Sequence, residues 1–594
     1  MVMRSLLVVS NPVTKINNLL TSEKRRTAVI LLGFIIIGTF FEILGVGLLL
    51  PVMALLVEDN LASRYPEIQP VLAFLGNPSY EKQIQIIMIV LIGVYFVKNI
   101  YLAFLAWKQA YFSVGLLKEL SQRLFTIYIH QPYTFHLQRN SAELIRNITG
   151  EVSHFINYGV NPVLILCAEI LVLLGIMILL IMVEPIGTLI VFSVLLIAAW
   201  GFYQSMRTRI TRWGEMRQFH DGQRIQHLHQ GLGGVKDVKL LGREDDFLMR
   251  FFEHNSKSAQ MSQFLEVLQK LPRLWLELLA VTGLVLLVLI MMAQGQKVSS
   301  IVPTMGLFAI AAFRMMPSVN RILNAIQSLR YGLPAINHLF EDFQLSPVRL
   351  DNASITDKYP IALLKDICLS DITYNYPESD TSALVNVNIK IQQGKSVGLI
   401  GQSGSGKSTS IDIIMGLLSP NLGQVLVDGQ DIQINLRSWQ DQIGYVPQSI
   451  YLTDDTLRRN IAFGLPEDQI DNAAVKQAIH AAQLDEYVDS LTNGMETMVG
   501  ERGIRLSGGQ RQRIGIARAL YYDPDVLVLD EATSALDTIT ESGVMEAVTA
   551  LHGSKTIIIV AHRFSTVEHC DYLYRLENGR VVEKGTPKEL LRVS

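Results

Sequence analysis

The sequence predicts two domains of different fold class: a membrane α-helical domain with six spans, then an α/β nucleotide-binding domain with a phosphate loop. Hydrophobic residues make up 49% of the 594 residues and charged residues only 18%, with a mean hydropathy of +0.29. A soluble protein carries about 25% charged residues, so part of the chain is expected to lie in lipid. The chain is also longer than one hydrophobic core usually organises.

Six apolar runs in the first half have the length and composition of membrane helices. About 20 apolar residues cross a bilayer as a helix. The runs are Thr27–Leu50, Ile86–Trp107, Pro162–Met182, Ile186–Phe202, Leu274–Met292 and Ile301–Met316. Because their number is even, both ends of this domain are expected on the same side of the membrane.

The distribution of basic residues predicts which side that is. The N-terminal segment and the long segments after spans two and four are basic, whereas the remaining loops are short or lean acidic. The basic residues are Lys15, Lys24, Arg25, Arg26, Lys118, Arg123, Arg139, Arg146, Arg207, Arg209, Arg212 and Arg217. By the positive-inside rule, both termini are cytoplasmic and the protein is a multi-pass protein of the cell (inner) membrane.

The two long cytoplasmic segments are predicted to continue as helices beyond the bilayer. Each is interrupted at its tip, around Asn140–Glu143 and at Gly231–Lys239. Glycine or an Asn-Ser pair at a helix interruption suits a short transverse helix. These tips are either contacts to the second domain or ordinary hairpin turns.

Charge and cysteine content exclude several other classes. A net charge of -3 lacks the basic surplus of a nucleic-acid-binding protein, so no nucleic-acid partner is expected. The three cysteines, Cys167, Cys368 and Cys570, are far apart and have no metal-ligand spacing.

A change in composition after about Phe340 marks the second domain. The predicted organisation is a cytoplasmic segment at 1–26, the six-helix domain at 27–340, a linker at 341–364 and the nucleotide-binding domain at 365–594. Within the last, an apolar strand is followed by a complete phosphate-loop motif and a helical stretch. The motif comprises Gly401, Gln402, Ser403, Gly404, Ser405, Gly406, Lys407 and Ser408, followed by Thr409.

Two features of this motif predict ATP and Mg²⁺ as cofactors. Backbone N–H groups of the loop and the helix N-terminus bind phosphate oxygens. Lys407 is expected to reach the β and γ phosphates, and Ser408 to ligate Mg²⁺.

Farther along, the apolar strand Val526–Leu529 ends in Asp530 and Glu531. Asp530 would hold the metal and Glu531 would act as general base on the attacking water.

The motif Leu506-Ser-Gly-Gly-Gln510 gives the chain a resemblance to a known family, the ABC ATPases. The other family motifs occur in the family's order: Tyr376, Gln448, Thr497–Gly503, Ser534–Asp537 and His562. Six spans followed by such an ATPase resemble the plan of an ABC exporter half-transporter.

The resemblance implies roles for these residues. Tyr376 would stack on adenine, Gln448 would sense the γ-phosphate and metal, and His562 would contact the γ-phosphate. ATP would lie between the phosphate loop of one copy and the signature of a second copy, with Asp537 ordering the facing site. The signature residues are Ser507, Gly508, Gly509 and Gln510. An intact site favours a homodimer; the alternative is a heterodimer with a degraded partner.

The cargo is indicated by ionisable residues at membrane depth, which are costly and usually functional or paired. The stretches 41–51, 94–98 and 313–321 resemble bacterial lipid-linked oligosaccharide flippases. In that group, basic residues are thought to receive the pyrophosphate of an amphipathic, anionic lipid-linked substrate. The match carries this role to Lys98, Arg273, Arg314 and Arg321.

Other interpretations of the same residues stay open at this point. The arginines could instead snorkel to the interface or pair with Glu42, Glu169 or Glu277. The expected function is ATP-driven export or inner-to-outer leaflet flipping of a lipid-linked oligosaccharide. The alternatives are a lipid A, drug or peptide exporter and, in another class, an ATP-gated channel or regulatory membrane ATPase. An amphipathic outer helix is predicted at Tyr65–Gly76.

Overall fold

The computed structural model describes residues 12–48, 80–183, 185–293, 298–345, 361–377, 379–500, 503–532, 538–561 and 563–590. The chain divides into two compact units. Unit 1 comprises Met1–Gln131 and Arg139–Pro347, and unit 2 comprises Pro132–Gln138 and Val348–Ser594. The predicted outer helix at Tyr65–Gly76 lies outside the described residues.

Unit 1 is helical throughout its described residues. Its helices are α1 Pro12–Leu19, α2 Ser22–Gly47, α3 Tyr80–Ile129, α5 Ser141–Arg146, α6 Val152–Phe155, α7 Asn161–Val183, α8 Pro185–Gly233, α9 Val235–Leu241, α10 Glu244–Ala293 and α11 Val298–Asp342, with π-helical turns at Asn147–Glu151 and Ile156–Val160; α4, Tyr133–Gln138, belongs to unit 2. Over the described residues, the segments Ser22–Gly45, Ile84–Ile129 and Ser141–Leu179 are long and apolar enough to cross a membrane.

The predicted apolar runs fall inside the six long helices α2, α3, α7, α8, α10 and α11, apart from the last residues of the first run, which lie outside the described residues. Helices are the expected form because backbone groups in lipid must pair within their own segment. Helix α8 begins at Pro185, a position where proline is tolerated because the first helical N–H has no intrahelical partner.

The structure refines both interruptions of the two long segments predicted to be cytoplasmic. The first lies slightly earlier than expected: α4 precedes Asn140, which caps α5 by accepting a hydrogen bond from the Ala142 N–H. The second interruption is the short helix α9, and Gly242 ends it in the left-handed conformation, with φ of 61°. Glycine adopts this conformation without the steric cost of a Cβ.

Unit 2 is built on two sheets. Its strands are β1 Asp366–Tyr374, β2 Leu384–Gln392, β3 Ser396–Ile400, β4 Leu422–Val427, β5 Gln430–Asp431, β6 Ile443–Val446, β7 Val526–Asp530, β8 Thr556–Val560, β9 Tyr572–Glu577 and β10 Arg580–Gly585. The first sheet has the order β2-β1-β4-β5 and is antiparallel. The second has the order β10-β9-β3-β8-β7-β6 and is parallel from β9 to β6.

Helices cover the parallel sheet, as the alternation of strands and helices predicts. They are α12 Lys407–Ile414, α13 Leu436–Gln440, α14 Leu457–Ile461, α15 Asn472–Ala481, α16 Asp485–Ser490, α17 Gly508–Leu520, α18 Thr538–Ala550, α19 Phe564–Val567 and α20 Pro587–Leu590. The central strands β3 and β8 are buried along their whole length, which explains their continuous apolar sequences. The fully buried Trp439 fixes α13 against α12 by donating its indole N–H to the Ile414 carbonyl at 2.7 Å.

Close packing of α8 against α11 yields a stability prediction. A Cβ added at Gly214 would lie 2.3 Å from the Tyr331 carbonyl oxygen, whereas a Cβ at Gly201, also on α8, meets nothing within 4 Å. We therefore expect Gly214→Ala to destabilise the protein by about 1–3 kcal/mol, because the helices must separate. Gly201→Ala is the matched control and should be neutral or mildly stabilising.

Thermal unfolding of the two variants in detergent measures the difference. Equal midpoints for Gly214→Ala and Gly201→Ala would contradict the close helix contact.

Candidate nucleotide-binding site

The phosphate loop connects the end of β3 to the start of α12. Gly401, Gly404 and Gly406 have φ of 150°, 79° and 102°, which side chains rarely adopt. Gly401 is also required sterically, because a Cβ there would lie 2.2 Å from the Leu576 carbonyl oxygen. The loop therefore runs close to β9, and α12 begins with its unpaired N–H groups at the loop, where an anion is favoured.

The side chain of Lys407 is held inside this loop. Its Nζ donates to the carbonyl oxygens of Gly401 at 3.0 Å and Gln402 at 2.9 Å. Burial lowers the pKa of Lys407, while the carboxylates of Glu531 and Asp530 act in the opposite direction. The amine thus lies between the loop carbonyls and the acidic pair, where a phosphate would meet it.

The acidic pair lies at the carboxyl end of β7. Burial, followed by repulsion from Glu531, raises the pKa of Asp530. Glu531 accepts a hydrogen bond from the Gln448 side-chain amide at 2.7 Å. Glu531 has a φ of 48°, in the left-handed region that is costly for a residue with a Cβ. The structure therefore brings together the two predicted residues Gln448 and Glu531, which are far apart in sequence.

The residues around Asp530 fit a divalent cation. Asp530 Oδ1 is buried and has no hydrogen-bond partner among the described residues. The hydroxyls of Ser408 and Tyr445 lie beside the same carboxyl group. A carboxylate oxygen and a serine hydroxyl are the oxygen ligands that Mg²⁺ uses at such sites.

Two residues of this site were not found by sequence reasoning. Asp412 follows Ser408 by one helical turn, and burial together with the charge of Asp530 raises its pKa to about 6. Tyr445 approaches Asp530 from the neighbouring strand β6. The spacing of Asp412 from Ser408 was a signal that could have been read, whereas the position of Tyr445 depends on strand order.

The signature motif forms the N-terminus of α17. The Ser507 hydroxyl accepts from the Gln510 N–H at 3.2 Å, and the Gln510 side chain accepts from the Ser507 N–H at 2.8 Å. This reciprocal pair is a capping box. Gln510 thus has a structural role in starting the helix, and Ser507 is exposed at its tip, with Gly508 and Gly509 next to it.

Tyr376 is anchored beside the phosphate-loop helix. Its hydroxyl lies 3.0 Å from the Thr409 hydroxyl, and its ring packs edge-on against Tyr374. Ser403 is exposed on the loop, and the Ser405 hydroxyl is buried. His562 and Asp537 lie outside the described residues.

Unit 1 contains a second site of interest, a cavity of about 450 Å³ with both apolar and charged residues in its lining. Glu42, Glu169 and Arg321 line it together with uncharged polar residues. Arg321 Nε lies 2.6 Å from Glu169 Oε1, so the pairing considered for this arginine is present. The carboxylate is largely buried, with 12% of its side chain exposed.

Two of the other basic residues predicted to bind substrate, Lys98 and Arg273, are not among the described residues that line this cavity. Lys98 is buried, with its Nζ 5.2 Å from the centre of the Tyr95 ring. Arg273 is exposed on α10. Arg314 lies on α11, and its side chain is outside the described residues. Among the three whose side chains are described, the cavity lining contains Arg321 and neither Lys98 nor Arg273.

A phosphate loop, an acidic strand end and a capped glycine motif define a nucleotide-hydrolysing domain, here in a chain with membrane-spanning helices. Family comparisons agree with this class. Residues 28–269 match the ABC transporter transmembrane region, and residues 384–534 match the ABC transporter domain.

Curated relatives and a solved structure extend the match across most of the chain. An ATP-dependent lipid A-core flippase of Cupriavidus pinatubonensis is 32% identical over 81% of each chain, and one of Vibrio parahaemolyticus is 30% identical over 79% of this chain and 80% of the relative. The structure of a bacterial Atm1-family ABC exporter with ATP bound aligns with a TM-score of 0.75 over 96% of each chain, at 22% identity.

The chain belongs to the ABC transporter family, as a half-transporter whose transmembrane region is fused to its ATPase domain. It is an ATP-hydrolysing translocase of the exporter type, and the predicted fold class is confirmed.

The geometry of Glu531 generates a second prediction. In Glu531→Gln, the new amide oxygen can still accept from Gln448, but it cannot take a proton from water. We expect ATP hydrolysis to fall by about 10²–10⁴-fold, while ATP binding is retained and the ATP-bound form of the protein accumulates. Steady-state phosphate release and nucleotide retention measure the two effects.

The exposed Glu546 on α18 provides the matched control, and Glu546→Gln should hydrolyse ATP at the wild-type rate. Hydrolysis near the wild-type rate in Glu531→Gln would show that Glu531 is not the general base.

Proposed function

We propose that this half-transporter forms a homodimer that uses ATP and Mg²⁺ to flip a phosphorylated glycolipid, best a lipid-linked pyrophosphate oligosaccharide, from the inner to the outer leaflet. The observation that carries the proposal is the presence of charged residues in the lining of the cavity in unit 1. Charged side chains are costly in the bilayer, yet Glu42, Glu169 and Arg321 all line this cavity. A charged and hydrogen-bonding lining suits a lipid with a large polar headgroup.

The arrangement of the two anion sites supports the homodimer. Ser507 and its neighbouring glycines form a second helix N-terminus, and Ser507 is exposed at its tip. A second copy of the chain would supply this motif to the phosphate loop, and both composite sites would contain the same residues. Asp537 and His562 would act at that interface as their motifs imply.

The described residues of the nucleotide site then have separate roles in hydrolysis. Lys407 would bind the phosphates in place of the loop carbonyls it now contacts. Glu531 would accept a proton from the attacking water, oriented through its hydrogen bond with Gln448. Ser408 and Asp530 would hold Mg²⁺, which supplies neutralisation of phosphate charge when bound.

Two substrate classes are supported to different degrees. The relatives named ATP-dependent lipid A-core flippases support a phosphorylated lipid with attached sugars as the cargo class. The stretches that contain Lys98, Arg314 and Arg321 favour the lipid-linked oligosaccharide within that class. Both substrates combine phosphate, sugar and a long apolar chain.

A reconstituted flipping assay tests the proposal. We expect ATP-dependent translocation in proteoliposomes of a fluorescent polyprenyl-pyrophosphate oligosaccharide, and slower or no translocation of a labelled phospholipid. Lys407→Ala should abolish it, because phosphate binding is lost. If a lipid A-core glycolipid is moved preferentially, that glycolipid and not the lipid-linked oligosaccharide is the substrate. ATPase activity without movement of any lipid would favour the channel or regulatory alternative.

Substitution of the basic residues tests their part in transport. In the double variant Arg314→Ala and Arg321→Ala, we expect at least about a tenfold drop in lipids moved per ATP hydrolysed, since one lost charged hydrogen bond has about this effect. The exposed Arg250 on α10 provides the control variant Arg250→Ala. If the number of lipids moved per ATP is unchanged in the double variant, the two arginines are not part of the substrate site.

A further inference from the structure

The charges of the cavity in unit 1 differ from those of a simple phosphate site. Among the described residues that line it, Glu42 and Glu169 carry negative charge and Arg321 alone carries positive charge. The guanidinium is already paired with Glu169 at 2.6 Å. A phosphate entering this space would meet like charges, and like charges brought together oppose binding.

The unpaired atoms in the cavity are hydrogen-bond acceptors. Glu169 Oε2 and Asn324 Oδ1 are buried and have no hydrogen-bond partner among the described residues. Both residues line the cavity, on α7 and α11. A buried acceptor without a partner is costly, so these atoms suit a ligand that donates hydrogen bonds. An ionised phosphate is an acceptor only and cannot satisfy these atoms.

Other polar groups extend this pattern around the cavity wall. Gln109, Asn157 and Gln269 contribute side-chain amides from different parts of the helical unit, and Gln269 donates to the Ser328 hydroxyl at 3.0 Å. Amides and carboxylates together offer both acceptors and donors, as sugar hydroxyls require. The remaining lining is apolar, with Leu102 and Leu105 among its residues.

We propose that this cavity is a subsite for the sugar hydroxyls of the substrate, with Glu42, Glu169 and Asn324 as acceptors. The inference rests on the proposed function, because it names which part of the glycolipid this cavity takes. Hydrogen bonds to ionised acceptors are about twice as strong as neutral ones. A site built to bind hydroxyls discriminates strongly against a ligand that lacks them.

The decisive comparison uses two lipids that differ only in their sugars. Polyprenyl pyrophosphate with its oligosaccharide and polyprenyl pyrophosphate without sugar are assayed in parallel in proteoliposomes of the full-length transporter. In the double variant Glu42→Gln and Glu169→Gln, we expect the ratio of oligosaccharide-lipid to sugar-free flipping to fall by about tenfold, since charged acceptors become neutral. The exposed Glu341 on α11 gives the control variant Glu341→Gln, whose ratio should stay at the wild-type value.

A binding measurement separates this inference from the proposed function. Free oligosaccharide should raise the unfolding temperature of the wild-type protein in detergent and do so less in the double variant. If the wild type moves neither lipid, the proposed function fails, while this shift still tests the sugar site. Should the double variant fail to fold, Asn324→Ala serves in both assays, with the same direction of change expected.

Three results would overturn the sugar subsite. One is an equal loss of flipping for both lipids, which would assign the carboxylates to the pyrophosphate or to helix packing. Another is an unchanged ratio together with an unchanged thermal shift. The third is stronger stabilisation by an organic cation such as tetraphenylphosphonium than by the oligosaccharide, which would make the cavity a cation site.

Discussion

Parallel hydrogen bonding of β3 and β7 to the strand between them, β8, positions everything that acts on ATP. Val397 and Val528 both align with Ile558 of β8, so the two outer strands end at the same edge of the sheet. Ligands of open α/β sheets bind at the carboxyl ends of the strands. The phosphate loop and the acidic pair therefore meet because of backbone pairing, and Gln448, after β6, is brought to Glu531 by the same sheet.

Local motifs were predictable because their chemistry is contained in a few consecutive residues. The phosphate loop, the acidic strand end and the signature helix were all identified from short stretches, and the family they indicate is confirmed. Long-range partners were not predictable. The sequence offered three carboxylates for Arg321, and only the packing of α7 against α11 selects Glu169. The capping role of Gln510 was likewise not predicted, because this residue was assigned only to the signature motif.

The membrane unit shows how polar groups are tolerated between apolar helices. Arg321 pairs with one carboxylate oxygen of Glu169, and this limits the cost of burying the Glu169 charge. The pair also consumes the positive charge that a phosphate would need. An arginine is the kind of residue that binds anions. Around Arg321, however, the cavity contains carboxylates and buried hydrogen-bond acceptors.

The left-handed backbone at Glu531 has a consequence for protein engineering. A residue with a Cβ in that conformation costs roughly 1–2 kcal/mol relative to glycine, and Glu531 has a φ of 48°. Selection for a more heat-resistant transporter would therefore favour replacement of this glutamate, because glycine relieves the backbone and removes a crowded carboxylate. Stabilised variants of this chain need sequencing at codon 531 before their activity is interpreted, since gains in heat resistance often come at the expense of activity.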